Sequence, residues 1–232
     1  MIRSLAMILL TQLIASPTLA GTWAEPAGCE VYVTVQSKAC RVSHHYTCSM
    51  DAPGDQWRVD MDQEGTFFFS RIDREGQWVE SIGETRQTLD PFPADPASIS
   101  DLLAEGIDTA DFFVTNDDGS SSRYSGFDRL TGTELVIDGV PLLQTEIDFT
   151  EYTADGTVLG RARGREYIHP DWRTFFAGPG ERDLGDGQWL PIDGSPVDFI
   201  FPGEPGFLST QPIYDCDVLS ASLPVVRVSH EP

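Results

Sequence analysis

Basic residues are scarce in this 232-residue chain: 15 Lys and Arg face 37 Asp and Glu, giving a formal charge of −22. A field of that sign repels nucleic-acid phosphates and anionic membrane surfaces, so neither is expected as a partner. Histidine is equally sparse, with four residues, which confines acid–base machinery to few positions. Cysteine is limited to Cys29, Cys40, Cys48 and Cys216. No apolar run reaches the length of a membrane-spanning helix. There is no internal repeat, no low-complexity tract, no GxSxG elbow, no HExxH helix and no phosphate-cradling glycine loop. These absences exclude the common hydrolase and nucleotide-enzyme signatures and leave no motif for a cofactor.

What is present reads as a β-rich exported chain. Apolar residues make up 40% and aromatics 10%, too much for a disordered segment. Arg3, an apolar run over residues 5–14 and Thr18-Leu19-Ala20 form the pattern of a signal peptide over residues 1–20. The mature protein then begins near Gly21 and resides in the periplasm. In a lipoprotein alternative, Pro26-Ala27-Gly28-Cys29 stands as a lipobox, although Pro26 replaces the usual Leu and Trp23 and Glu25 separate it from the apolar run. In an exported chain the four cysteines are expected as two disulfides. A straight strand over residues 40–48 would hold Cys40 and Cys48 roughly 27 Å apart at about 3.4 Å per residue. That is beyond disulfide reach, so one joins Cys29 and the other Cys216; a bend would restore the local pairing. The same segment, Cys40-Arg-Val-Ser-His44-His45-Tyr-Thr-Cys48, holds soft metal ligands at a spacing that matches no zinc template. Oxidised cysteines, two solvated histidines and no metal are the expectation.

Period-two alternation dominates the chain. Residues 29–35 and 40–48 form a first strand pair. In 56–62, Trp57, Val59 and Met61 share one face and Arg58, Asp60 and Asp62 the other. In 66–72, Phe67 and Phe69 must oppose Phe68, so both faces carry aromatic surface and something must cover the second. One cover is a helix over 96–105, capped by Asp95, opened by Pro96, ended by Gly106, with Ile99, Leu102 and Leu103 as its apolar stripe. Three hairpins follow. A two-residue turn at Asp118-Gly119 pairs Thr115 with Ser122 and Phe113 with Tyr124. Ile137-Asp138-Gly139-Val140 repeats the device, with Pro141 marking an edge or a bulge. Asp155-Gly156 sets Thr150, Asp148 and Glu146 opposite Arg161, Arg163 and Arg165, a solvated face of cross-strand ion pairs. From about residue 178, Gly and Pro predict extended chain wrapped on the sheet, with short strands at 188–191 and 197–201, pinned by Cys216. Residues 219–232 are expected to be loosely held. The fold class is mainly β, a curved antiparallel sheet or open (half) barrel with one covering helix, as a single domain over 21–218.

Among the histidines, His169 has further chemistry close by in Glu166, Asp171 and Trp172. The third hairpin turns Glu166 inwards opposite Thr145, where burial would raise its pKa for proton transfer, or where it takes a hydrogen bond at the sheet rim. The Asp-rich turns at residues 116–119 and 183–187 lack the ligand spacing of a calcium loop and are explained by turn chemistry. The stretches FIFPGEPGFLSTQPIYDC (199–216) and REYIHPDWRTFFAG (165–178) resemble a group of uncharacterised exported (periplasmic) proteins of alphaproteobacteria, a resemblance that brings no activity with it. The strand-rich run over 124–163 is similar to periplasmic lipoprotein-carrier proteins and other open-barrel lipid binders, which implies a half-barrel closed by helices around an apolar cavity. The expected function is non-catalytic binding of an apolar, lipid-like ligand or an envelope protein, with Trp57, Met61, Phe67, Phe68, Phe69 and Trp78 lining the site and no cofactor. The alternatives are an enzyme using Glu166 and His169, or a structural domain with a filled core.

Overall fold

The computed structural model describes residues 23–216. The leader expected over 1–20 and the tail expected over 219–232 lie outside these residues. Six strands come first: β1 (Cys29–Ser37), β2 (Arg41–Cys48), β3 (Gln56–Met61), β4 (Thr66–Ile72), β5 (Trp78–Ile82) and β6 (Arg86–Leu89). Helix α1 (Ile99–Glu105) follows. Then come the long strands β7 (Ile107–Asn116), β8 (Ser121–Ile137), β9 (Val140–Thr153), β10 (Val158–His169) and β11 (Thr174–Asp183), and the short β12 (Trp189–Asp193) and β13 (Pro196–Ile200). All thirteen strands belong to one antiparallel sheet. Each strand from β1 to β12 pairs with its sequence neighbour, and β13 returns to flank β1. The sheet curls without closing, so β12 and β13 remain its two edges. No helix among the described residues is long and apolar enough to cross a membrane.

Alternating apolar residues drive the curl. Val33 and Val35 of β1, Leu142 of β9, Tyr167 of β10, Phe176 of β11 and Phe199 of β13 form one buried cluster. The two ends of the sheet therefore pack on each other, each large side chain contributing about 1.5–3 kcal/mol on burial. The opposite face of β1–β4 carries Val31, Val42, Tyr46, Val59 and Met61, beneath Trp23 and Phe207. The second aromatic face is thus covered by the chain on either side of the sheet. The strap after β13 is tied down by Gln36, whose side chain bonds the Gln211 carbonyl and the Ile213 amide, and by the disulfide Cys40–Cys216. The other disulfide is Cys29–Cys48. Residues 41–48 are indeed one strand, which keeps Cys40 and Cys48 apart as expected. Residues 178–183 complete β11 and pair with β12, rather than wrapping over the sheet.

The helix is shorter than the sequence pattern suggests. Its N-cap is Ser98, whose hydroxyl accepts from the Asp101 amide, and Gly106 ends it with φ +81. Asp95 instead bridges to Asp111 through its backbone and accepts from Thr109 Oγ1 at 2.7 Å. Ile99 and Leu102 bury against Ile168, with Leu103, Leu130, Leu143 and Phe175 around them. The helix therefore plugs one end of the curled sheet.

Turn chemistry decides the hairpin registers. At the β7–β8 turn the Asn116 amide bonds the Ser120 carbonyl, and Gly119 has φ +82, so three residues close the turn instead of two. The extra residue shifts the whole hairpin by one: Thr115 faces Ser121 and Phe112 faces Tyr124. The β8–β9 turn keeps the expected two residues, with Asp138 and Gly139 both at positive φ. Pro141 lies where β9 pairs with β8 alone, so no ladder bond to β10 is lost. The β9–β10 turn also has three residues, but a bulge at Val158/Gly160 restores the expected register from Glu151 onward.

The arginine row departs from its expected partners. Arg163 faces Asp148 on one side and Glu181 on the other, and it bonds Glu181 at 2.8 Å. Its guanidinium also lies 4.0 Å from the Trp189 ring centroid, an attraction that β9 does not offer. Arg165 donates to Gln144 at 2.6 Å, Arg161 approaches Asp183 at 3.9 Å, and Glu146 is left to Arg129 at 3.6 Å.

Candidate functional site

The curled sheet encloses a cavity of about 560 Å³. Its aromatic wall is built from one residue on each of four strands: Trp78 of β5, Phe112 of β7, Tyr124 of β8 and Phe149 of β9. The Trp78 ring centroid lies 5.6 Å from Phe112 and 5.0 Å from Tyr124, both edge-on. Trp78 is 45% exposed and marks the mouth, whereas Ile99 of α1 and Phe175 line the plugged end. Gly126 makes the wall possible. A Cβ there would fall 2.2 Å from the Asp148 carbonyl oxygen and 2.7 Å from the Phe149 ring, so only glycine lets Phe149 lie over β8.

The polar lining includes Arg41, His45, Arg58, Asp108, Asp128 and Glu166. Arg161 and Arg182 line it too, and among the described residues Arg41 and Arg182 form no ion pair. Arg58 lies 3.1 Å from Asp60, which also accepts from Ser43 at 2.6 Å, and Arg41 donates to the Gly194 carbonyl. Glu166 stands in the field of both; burial raises its pKa and the arginines pull it back. Asp108 and Asp128 are different. They stand directly opposite in the β7–β8 register, and no ion pair to either is formed among the described residues. Burial, with Glu166 and Asp108 nearby, holds the Asp128 carboxyl far above its ordinary range. Asp108 is pushed up to about 6 by burial and by Asp95, Asp101 and Glu75, against a stabilising bond from the Ser98 amide. One Asp128 oxygen is buried without a hydrogen-bond partner. So is Oγ1 of Thr145, a fully buried residue beside Glu166 in register.

Of the residues expected to line a ligand, Trp57, Phe68 and Trp78 reach the cavity. Met61 and Phe69 point to the other face, under Trp23 and Phe207, and Phe67 is half-exposed. Glu166 lines the cavity; His169 does not. His169 is buried, stacked on Trp172 at 3.9 Å, with Nδ1 accepting from the Trp172 amide. The structure does not bring the two together in one cleft.

The expectation of solvated histidines is corrected. His44 and His45 are both buried, His44 against Trp23 at 5.0 Å and His45 against Phe176 at 5.2 Å. Burial lowers their pKa values to about 4 and about 3, so both are neutral at pH 7. The covering groups come from distant parts of the chain, which a local reading does not reveal. Among the described residues no three His, Cys, Asp or Glu side chains gather to hold a metal ion. In the Asp-rich turns, Asp183 accepts from the Gly185 and Gly187 amides and Asp118 from the Ser120 amide. Those carboxylates are occupied in closing turns.

The alternation of Asp108, Ala110 and Phe112 against Asp128, Gly126 and Tyr124 is a sequence signal that the two-residue turn assignment conceals. No protein family model matches the chain, and no curated protein or solved structure is detectably similar to it.

Proposed function

We propose that this is a non-catalytic binding protein of the periplasm whose cavity takes an apolar or amphipathic small molecule. The observation that carries this reading is the cavity of about 560 Å³ with four aromatic rings on one wall, within the roughly 300–1,000 Å³ range of small-molecule sites. The two disulfides suit an oxidising, exported environment, and the leader pattern over 1–20 directs it to the periplasm. The separation of Glu166 from His169 favours binding over acid–base chemistry. Native mass spectrometry of gently purified protein tests the reading. A co-purified small molecule that is lost on denaturation is expected; a bare polypeptide mass that takes up no added lipid or hydrophobic probe would refute it. A second reading, docking of an envelope protein, draws on the edge strand β12, where Leu190 and Ile192 are about half-exposed.

A further inference from the structure

We propose that the cavity takes an organic cation with an apolar body, its ammonium group seated between Asp108 and Asp128. This rests on the binding reading above and names the chemical class of the ligand.

Two like charges directly opposite on paired strands destabilise a sheet, and here both face an enclosed space. An acid pair alone would mean little. This pair ends a stripe whose other end is aromatic: Asp108 faces Asp128, Ala110 faces Gly126, and Phe112 faces Tyr124. Four residues of strand separate the two ends, on the order of 13 Å at about 3.4 Å per residue. The small pair in the middle lets the Phe149 ring lie over it, so the apolar surface continues between the two ends. The stripe thus offers an apolar floor of ligand length with the acid pair at one end, while Glu151 and Arg182, of opposite charge, stand near Tyr124 at the other.

The unpartnered oxygen of Asp128, which lines the cavity, is an acceptor without a donor at that end. An ammonium group brings several N–H donors and a positive charge at once. A metal ion fits less well, since no three ligating side chains converge among the described residues. An anionic head group would turn to Arg41, Arg58 and Arg182 instead. Asp60 offsets Arg58 and the Gly194 carbonyl accepts from Arg41, while Nε of Arg41 and of Arg58 is buried without a hydrogen-bond partner, so it is the acid pair and the overall charge that favour a cation. The formal charge of −22 further enriches cations and depletes anions around the molecule.

The test compares decylamine, decanol and decanoate, each below its micelle concentration, by calorimetric titration of the intact protein at pH 8 and 150 mM salt. Decylamine is expected to bind at least tenfold tighter than the other two. Asp108→Asn and Asp128→Asn should each weaken it at least tenfold, while Glu134→Gln, which removes an exposed carboxylate, should leave it unchanged. Equal or tighter binding of decanol or decanoate would overturn the cation assignment and leave apolar binding standing, as would decylamine affinity that survives both aspartate substitutions. Failure of all three probes would overturn the binding reading itself. The probe series uses the unmodified protein, so it decides even if a variant does not fold.

Discussion

Asp108 and Asp128 oppose each other across the β7–β8 ladder, two carboxyls on one cavity wall with no basic side chain paired to either among the described residues. The sheet tolerates this because burial and the neighbouring acids keep a proton on the pair, most strongly at Asp128. A carboxyl whose folded pKa is raised contributes stability that is complete below its unfolded value of about 4 and is lost as the pH rises through the folded value. Asp128→Asn removes that pH-dependent loss. It should stabilise the protein more at pH 8 than at pH 5, the difference being on the order of 2 kcal/mol in denaturant titrations. A constant offset between the two pH values would contradict the raised pKa.

Histidines 44 and 45 carry the opposite sign. Each is held neutral by burial, with pKa values of about 4 and about 3, so the stability they lend is present above 6.5 and lost as the pH falls from there towards 3. Ring-nitrogen NMR shifts of both should remain those of neutral imidazole at pH 5. Titration of either ring between pH 6 and 7 would place it in water.

The sequence-distant disulfide should matter more than the local one. Cys40 and Cys216 are 176 residues apart, Cys29 and Cys48 only 19. Chain entropy predicts about 5 kcal/mol for the first and about 3 kcal/mol for the second. Paired Cys→Ser variants compared in urea should show that order; the reverse would mean that the strap over residues 201–216 is held mainly by Gln36, Thr34 and its other hydrogen bonds.

The partner of Arg163 is equally open to measurement. A double-mutant cycle between Arg163 and Glu181 should return about 0.5–1 kcal/mol, as expected for an exposed pair, and the cycle with Asp148 close to zero. Coupling to Asp148 of the same size as that to Glu181 would restore the β9 pairing.

The curved antiparallel sheet was legible because period-two alternation and Asp-Gly turns are local signals. The β9–β10 register of Asp148 with Arg163 follows from counting, since the bulge at Val158/Gly160 cancels the longer turn. The β7–β8 hairpin has no such compensation. A two-residue turn at Asp118-Gly119 would place Asp108 opposite Arg129, an ordinary ion pair, and so hides the acid pair completely. Side-chain direction on β4 was half legible: alternation separates Phe68 from Phe67 and Phe69, but only the returning strap at Phe207 and the segment at Trp23 decide which face is the cavity. The burial of His44 depends on the Trp23 segment and that of His45 on Phe176 of β11, both distant in sequence. Glycine 126 carries its meaning only once Phe149 lies above it.

An interior open to an apolar molecule should take up the uncharged probe N-phenyl-1-naphthylamine, read as a fluorescence titration. Ala162 lines the cavity, so Ala162→Trp should fill part of it at a stability cost of about 1–3 kcal/mol. Saturable one-to-one binding to the unmodified protein is expected, with at least a tenfold loss in Ala162→Trp and cooperative melting retained. Absence of saturable binding to the unmodified protein, or equal binding by a folded Ala162→Trp variant, would contradict it.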